Sequence, residues 1–500
     1  MKKNIFSGII IDNIGLLVII ITGMVAIPFY LEYISISNYG VWLSIGGISA
    51  VLSLMELGTD QYLTNITVDD KVFNSKSYQK TLHTLFIIKI FSILIIIFGS
   101  TILYIYIDKF INIDIQMSKE IKNVYIICVI NIILGAFNST LTTILFARNY
   151  YKIVNISNII SSIMIVLISY AMLIYELRLI SFPFSILICN IISILVLTLI
   201  LFNIYGAEKF ALNWDGQLYK LKEILSYSFN FQGIRILSTF RNFIPLILIG
   251  KLIDPVEVAK YSISTRLIQL GPTIFNKFSI MFFPKISKSI SDQKLNDTKR
   301  VFVILTKVMI RGAVFLGLIL FYGTKYFVIL WVGLDKYIGD HILALIIIYM
   351  GINISMGLFG ITVFSNKKFE KWTLYGYFEI SLAIFLAIYL FSLIGTFGIL
   401  LGLYLASIPS QIYLYRLVCT YYQIDKKIFI LDLVTHAIKS NVVLIGLIIL
   451  LFYFNIYPAT WIELIFITFG LIVSNLIVVA VKFYRNSQKE FVDRLLDSLR

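Results

Sequence analysis

Long apolar segments separated by short polar ones recur along the whole chain. About fourteen of them are long enough to cross a bilayer as helices. Their predicted bounds are 9–33, 38–64, 82–107, 121–146, 153–175, 180–202, 224–250, 259–284, 300–322, 342–364, 372–394, 398–418, 433–454 and 460–482. The pattern predicts an all-α polytopic membrane protein with two six-helix lobes and two extra C-terminal helices.

The composition supports a membrane protein, because 59% of the residues are hydrophobic and only 14% are charged. The net charge of +15 lies mainly in alternate short loops, as the positive-inside rule describes, rather than in a basic patch. We therefore expect both termini in the cytoplasm and no nucleic-acid partner. The three cysteines and three histidines are dispersed, so the sequence predicts neither a metal site nor a cofactor.

The predicted lobes are residues 1–203 and 224–420, followed by residues 421–500 with the last two spans and a cytoplasmic tail. The linker 204–223 carries Trp214 and Leu218 at helical spacing, which predicts an amphipathic helix on the membrane surface. A faint repeat supports the division. Ile27-Pro28 and then Tyr39-Gly40 in the first lobe correspond to Ile244-Pro245 and then Tyr261-Ser262 in the second.

Six cations lie inside predicted spans 7 to 9, where each costs about 2.5–3.5 kcal/mol on insertion scales. They are Arg235, Arg241, Arg266, Lys277, Lys307 and Arg311. This cost predicts a hydrated, positive cavity for an anionic passenger, and the arginine fork suits phosphate. The alternative for Arg266, Lys277 and Lys307 is that they reach the interface. Lys89 and Lys439, in other spans, are expected to reach it.

Among the predicted spans with polar or small residues along one face, spans 2 and 8 carry the most, five each. Span 8 carries Ser262, Arg266, Gln269, Thr273 and Lys277 on one helical face, with a kink expected at Gly271-Pro272. In span 2 the stripe is Gly46, Ser49, Ser53, Glu56 and Asp60. These stripes predict surfaces that line a cavity.

Further polar residues at membrane depth are candidates for two roles. Ion coupling or charge balance is expected of the acids Asp12, Glu56, Asp60 and Glu379. Contact with sugar hydroxyls is expected of Ser53, Asn131, Asn138, Asn155, Asn158 and Gln269. The alternative for the amides and small residues is helix packing.

Several short motifs resemble those of a known family. Ile27-Pro28-Phe29-Tyr30-Leu31, Tyr39-Gly40-Val41-Trp42 and Leu54-Met55-Glu56-Leu57-Gly58 are similar to the opening of bacterial polysaccharide flippases (Wzx type, O-antigen and capsule transporters). These belong to the multidrug/oligosaccharidyl-lipid/polysaccharide (MOP) exporter superfamily. Ile247-Leu248-Ile249-Gly250 and Val258-Ala259-Lys260-Tyr261 resemble spans 7 and 8 of that family.

The resemblance implies two lobes around a central cavity, alternating access and a place in the bacterial cytoplasmic membrane. The implied cargo is an undecaprenyl-diphosphate-linked oligosaccharide, moved to the outer leaflet for O-antigen, capsule or exopolysaccharide synthesis. The implied partners are membrane lipids, a coupling H⁺ or Na⁺, and the polysaccharide polymerase and chain-length machinery. Spans 13 and 14 resemble the extra pair that forms a lipid-tail groove in some members.

We expect a transporter rather than an enzyme, because no predicted loop is long enough for a soluble catalytic domain. Two alternatives stay open. One is a cation-coupled multidrug exporter of the same fold, although a positive lobe should repel its cationic cargo. The other is a membrane-embedded polysaccharide polymerase.

Overall fold

The computed structural model describes residues 2–111, 117–210, 218–282, 286, 295–365 and 370–498, and their regular structure is helical throughout. The first unit contains α1 (Lys2–Tyr33), α2 (Ile36–Leu52), α3 (Asp60–Val68), α4 (Asp70–Phe73), α5 (Lys76–Phe110), α6 (Ser118–Ala147), α7 (Tyr151–Ile174), α8 (Ser181–Tyr205) and α9 (Leu221–Leu252), and α10 (Pro255–Thr265) begins there. The second contains α11 (Leu270–Met281), α12 (Leu295–Val332), α13 (Asp340–Ser365), α14 (Glu370–Tyr421), α15 (Lys426–Tyr453) and α16 (Trp461–Ser498).

Eleven helical stretches of the described chain are long and apolar enough to cross a membrane. One of them, in α14, contains both predicted spans 11 and 12, because the backbone turns at Ile394 and Gly395 without a loop. Predicted spans 7 and 8 correspond to the charged helix α9 and to the short helices α10 and α11. The membrane class is confirmed, and the count of fourteen stays a prediction.

Predicted span 2 is not one helix. After α2, a short 3₁₀ turn (Ser53–Met55) leads to extended backbone at Glu56, and Gly58 has a φ of +61° before α3 begins. A left-handed residue cannot continue a right-handed helix. The single polar face that we expected to reach Glu56 and Asp60 is therefore wrong, because these carboxylates lie beyond the break.

Predicted span 8 is also broken, into α10 and α11. Pro272 has no N–H with which to bond the carbonyl of Ile268, and the N–H of Gly271 bonds that carbonyl instead, over 3.2 Å. The kink expected at Gly271-Pro272 is therefore present, but the turn occupies residues 266–269. The continuous fifteen-residue stripe expected from Ser262 to Lys277 is wrong for this reason.

The chain divides into two compact units, Met1–Ala259 and Lys260–Arg500. Helix α9 belongs to the first unit, where Gly47 of α2 lies against Ile247. The boundary between compact units thus follows α9, whereas the expected lobe boundary precedes it. The lobes, which are defined by the internal repeat, stay a prediction.

The expected amphipathic linker lies partly outside the described residues, and Trp214 is among those. The described part before it is a short 3₁₀ helix, Ala207–Phe210. Leu221 and Leu225, at the start of α9, pack against the buried cluster that contains Tyr62 and Leu63.

Each unit has its own buried contacts. In the first, α1 packs on α7, and Tyr30 Oη lies 2.7 Å from Ser169 Oγ. In the second, α12 packs on α13, α15 and α16, where Tyr322 and Leu444 share a core cluster. These contacts hold the polar side chains described next at fixed positions.

Candidate functional site

Four charged side chains form a charge cluster in the first unit: Glu56 and Lys89 are buried, and Asp60 and Arg235 are partly exposed. Lys89, only 5% exposed, extends from α5 to the break between α2 and α3. Its Nζ lies 3.2 Å from Glu56 Oε1 and 3.1 Å from Asp60 Oδ1. The expectation that Lys89 reaches the membrane interface is therefore wrong, because both carboxylates hold the ammonium inside the protein.

Glu56 is shared between two cations. Its Oε2 lies 3.5 Å from a terminal nitrogen of Arg235 on α9, and the side chain of Arg235 is 40% exposed. Nearby, Gln232 of α9 donates to the carbonyl of Leu54, which fixes the 3₁₀ turn. With all four groups ionised the charge cluster is neutral, so Glu56 offsets part of the positive charge of Arg235.

A polar cavity of about 890 Å³ lies beside this cluster in the same unit. Helices α3, α6 and α7 supply its lining, which includes Thr64, Asn138, Ser139, Thr142, Thr143 and Asn158. Ser139 joins the two features, because its Oγ also lies 3.5 Å from Lys89 Nζ. Two of the predicted sugar-facing amides, Asn138 and Asn158, thus lie in one polar cavity.

An ion pair lies at the predicted cytoplasmic end of the polar cavity. A guanidinium nitrogen of Arg148 is 2.6 Å from Asp70 Oδ1, and both residues line the cavity. Burial lowers the pKa of Arg148 and the hydrogen bond to Asp70 raises it, which leaves this pKa above its usual value. Neither residue was selected from the sequence, because both lie in short polar stretches between predicted spans.

The other predicted sugar-facing residues of the first unit lie elsewhere. Asn131 donates to the carbonyl of Pro183 over 2.7 Å and accepts from Asn190 over 3.2 Å, as the helix-packing interpretation predicts. Ser53 Oγ donates to the carbonyl of Ala50. Asn155 is buried, and its amide nitrogen has no hydrogen-bond partner among the described residues. The side chain of Asp12 lies outside the described part of the chain.

Arg311 lies near the middle of predicted span 9, and two amide side chains contact this residue. Its guanidinium donates to Asn475 Oδ1 over 3.4 Å. Asn475 donates to Asn441 Oδ1 over 3.2 Å, and Asn441 donates to the carbonyl of Arg311 over 3.3 Å. This network joins α12, α15 and α16. Neither asparagine was predicted, although each is an amide within an apolar span, which is the signal that could have found it.

Lys307 lies one turn before Arg311 on α12, and its Nζ is 2.7 Å from Asp432 Oδ2. Both cations therefore project toward the last two helices. A different face of α12 packs against Phe275 of α11. It is the face of Gly312, which lies about 100° around the helix from Arg311. Because Asp432 neutralises Lys307, Arg311 is the stronger candidate for a phosphate ligand.

The remaining predicted cations have different surroundings. Arg266 is half-buried in the turn before α11, and its side chain makes no ion pair within the described part of the second unit. Gln269 is exposed in the same turn. Lys277, on α11, and Arg241, on α9 of the first unit, each interact with another group.

Glu379 is a buried carboxylate of α14, with 2% exposure. Ser410, on the other side of the helix kink, donates to Glu379 Oε2 over 2.5 Å. Gln411 donates to Ser407 Oγ over 3.3 Å, while its own Oε1 is buried without a hydrogen-bond partner among the described residues. Carboxylate, hydroxyl and amide oxygen atoms from the two halves of α14 therefore lie close together.

An apolar groove of about 880 Å³ lies in the second unit, between α12, α13, α14 and α15. Its lining is aliphatic and aromatic, with Ile310, Val314, Ile348, Ile352, Leu405 and Val434 among its residues. Gly351 also lines it, and a Cβ added there would meet nothing within 4 Å. The groove can therefore accept an apolar chain.

The sequence and the fold each have relatives. The family model described as "Polysaccharide biosynthesis protein" matches residues 34–324, more than half of the chain, so the protein belongs to that family. Among curated proteins, nothing matches.

Three solved structures illustrate the fold. One is the lipid II flippase MurJ in an inward closed conformation, with a TM-score of 0.73, 16% identity and coverage of 95% of this chain and 99% of that one. Another is a mutant of the Vibrio cholerae MATE transporter VcmN, with a TM-score of 0.56, 12% identity and coverage of 84% and 96%. The third is the eukaryotic MATE transporter AtDTX14, with a TM-score of 0.53, 14% identity and coverage of 87% and 97%. The expected fold class is confirmed.

Proposed function

We propose that the protein flips an undecaprenyl-diphosphate-linked oligosaccharide from the cytoplasmic to the outer leaflet of the bacterial cytoplasmic membrane. Alternating access moves the cargo, and the product serves O-antigen, capsule or exopolysaccharide synthesis. The main support is that the polar cavity of the first unit lies among membrane helices. A polar lining there is energetically unfavourable, and the binding of a polar cargo would explain why the protein has one. The likeness in fold to a lipid II flippase agrees with this proposal.

The polar cavity suits a sugar. Its volume of about 890 Å³ is within the range of ligand pockets. Amides such as Asn138 and Asn158 and hydroxyls such as Thr142 both donate and accept, which matches the hydroxyl groups of an oligosaccharide. The hydrogen bonds of Asn131 to Pro183 and Asn190 favour a packing role for that amide instead.

The apolar groove suits the polyprenyl chain. Such a chain loses no hydrogen bonds when it leaves the bilayer for an aliphatic lining, so little energy opposes its movement along the groove. Helix α15, which is predicted span 13, contributes Leu433 and Val434 to the lining. This agrees with the lipid-tail role that the family resemblance implies for the C-terminal helices.

The diphosphate is assigned to the arginines, with Arg311 first. An amide neighbour such as Asn475 orients the guanidinium and leaves its charge intact, whereas Glu56 offsets that of Arg235. Arg266 and Lys277 of the same unit complete the proposed set, and the role of Arg241, in the first unit, stays a prediction. Glu379 is the proposed coupling residue, for H⁺ or Na⁺, because its buried carboxylate and the hydroxyl of Ser410 form an oxygen-rich site.

Three glycine substitutions test the proposal. Gly135→Phe places a ring in the polar cavity, and Gly351→Phe places one in the apolar groove. Gly470→Phe adds the same ring at an exposed position of α16, and a Cβ meets nothing within 4 Å at any of the three. Each variant replaces the wild type in a strain that lacks the gene, at matched membrane levels. Surface polysaccharide and the leaflet in which the lipid-linked oligosaccharide accumulates are then measured.

We expect Gly135→Phe and Gly351→Phe to lower surface polysaccharide at least tenfold and to leave the lipid-linked oligosaccharide in the cytoplasmic leaflet. Gly470→Phe should match the wild type. Accumulation in the outer leaflet would instead indicate a polymerase. Unchanged output in both cavity variants would contradict the proposal.

The second candidate is a multidrug exporter, which the likeness in fold to MATE transporters favours. Efflux of a cationic dye from cells that express the protein tests it. Dye efflux that Gly135→Phe abolishes, with surface polysaccharide unchanged, would support the exporter.

A further inference from the structure

Lys89 Nζ is surrounded by five oxygen atoms. They belong to Glu56 (3.2 Å), Asp60 (3.1 Å), the carbonyl of Ala136 (2.5 Å), Thr140 (2.5 Å) and Ser139 (3.5 Å). Carboxylate, carbonyl and hydroxyl oxygens are the ligands that hard metal cations take in proteins. We propose that the Lys89 ammonium permanently occupies a monovalent-cation site, so that Glu56 and Asp60 bind no free coupling ion.

The ammonium of Lys89 forms hydrogen bonds with some of the surrounding oxygen atoms but not with all of them. An ammonium has three protons, and the carboxylate of Asp60, the carbonyl of Ala136 and the hydroxyl of Thr140 accept them at the shortest distances. Glu56 is 8% exposed, and its buried Oε1 accepts no hydrogen bond from the described residues. That oxygen interacts with the ammonium through charge alone, as it would with a metal cation.

Charge balance explains why the site needs an occupant. Glu56 and Asp60 carry two negative charges, and Arg235 contacts only Glu56, over 3.5 Å from a partly exposed position. Without Lys89, the partly exposed Asp60 would lose its cation, and the buried Glu56 would keep only this distant one, which is unfavourable. A largely apolar cavity of about 400 Å³ adjoins Asp60 and Lys89, so a shortened side chain leaves room for an ion.

Occupation of this site by Lys89 concerns the coupling ion and does not depend on the cargo. The occupied site does bear on the proposed coupling. It excludes Glu56 and Asp60 as ligands of a free Na⁺, and Glu379 stays the candidate. Na⁺ binding to the purified protein is measured without lipid-linked sugar, so a negative result there would leave the proposed flipping intact.

The test compares the purified wild type with Lys89→Ala and with Lys439→Ala, the same change at an exposed lysine of α15. Binding of radiolabelled Na⁺ is measured at constant ionic strength, with choline as the replacement cation, together with the Tm at each Na⁺ concentration. We expect Lys89→Ala to bind one more Na⁺ per chain than the wild type and to gain a saturable rise in Tm. Adding Glu56→Gln to Lys89→Ala should weaken that binding at least tenfold, and Lys439→Ala should behave as the wild type.

Equal Na⁺ stoichiometry in Lys89→Ala and the wild type would overturn the proposal, as would proton uptake in place of Na⁺. Lys89→Met, which keeps the apolar stem, replaces Lys89→Ala if the shorter side chain prevents folding. Glu56→Gln alone provides a check that leaves the lysine in place. It should leave the Na⁺ stoichiometry of the wild type unchanged, and loss of a bound Na⁺ would show that a free ion uses the site.

Discussion

The guanidinium of Arg311 donates to Asn475 Oδ1 over 3.4 Å, and this bond joins helix α12 to the last helix of the chain, α16. Neither residue pairs with a carboxylate there within the described part of the chain. The bond therefore orients a charge without neutralising it. A phosphate group near this guanidinium would contact a donor that is already oriented and that no carboxylate neutralises.

Arg311→Ala should lower surface polysaccharide about tenfold or more. A hydrogen bond to a charged group contributes about 1.5–3 kcal/mol, and about 1.4 kcal/mol corresponds to a factor of ten. Lys307→Ala removes a cation that Asp432 already pairs with, so we expect a change of less than about threefold. Glycan output at equal membrane levels is the measurement. Asn475→Ala removes only the orienting amide, and an effect equal to that of Arg311→Ala would indicate a purely structural role for the arginine.

Glu56→Gln should destabilise the first unit by about 3 kcal/mol, because breaking one partner of a buried ion pair leaves an uncompensated charge. Lys89→Gln should cost a similar amount. The double variant restores neutrality between Asp60 and Arg235, so its loss should be smaller than the sum of the two single losses by at least about 1 kcal/mol. Thermal or denaturant unfolding in detergent checks this cycle. Strict additivity would show that the two side chains do not interact.

Gly40→Ala should prevent folding or reduce the protein level severely. A Cβ at Gly40 would lie 1.7 Å from the carbonyl oxygen of Pro255, a backbone atom that no side-chain movement can clear. Gly46→Ala is the matched control in the same helix, because a Cβ there meets nothing within 4 Å. Alanine should stabilise the helix at that position by up to about 1 kcal/mol. Quantitative blotting of membranes and Tm in detergent compare the two variants, and equal losses would contradict the close approach.

Gly395→Ala should destabilise the second unit by about 1–3 kcal/mol. Gly395 turns the chain between the two halves of α14 with φ +61° and ψ −140°, a conformation that side chains strongly disfavour. Gly446→Ala in α15 is the control, since that glycine is helical and a Cβ there has open space. The free energy of unfolding of each variant gives the comparison. A stable Gly395→Ala protein would mean that α14 can straighten at this position.

The sequence predicted the membrane helices and the all-α membrane class well. Each helix satisfies its backbone hydrogen bonds internally, so a run of consecutive apolar residues is enough to identify it. Pro272 likewise predicted the break in span 8, since the loss of an N–H is a local property. Gly58 gave no comparable signal. A glycine is common within membrane helices, and only the fold assigns it a positive φ.

Tertiary structure alone decided which charges meet. Arg235 and Lys89 lie 146 positions apart in the sequence, yet Glu56 contacts both. The helical period places Lys307 and Arg311 on one face, but it does not say that this face meets Asp432 and Asn475. The sequence thus determined that costly charges exist at membrane depth. The partner of each charge depends on how the helices rotate and pack, which is a sum of many weak contacts. Only the folded chain therefore shows which charges a carboxylate neutralises and which it does not.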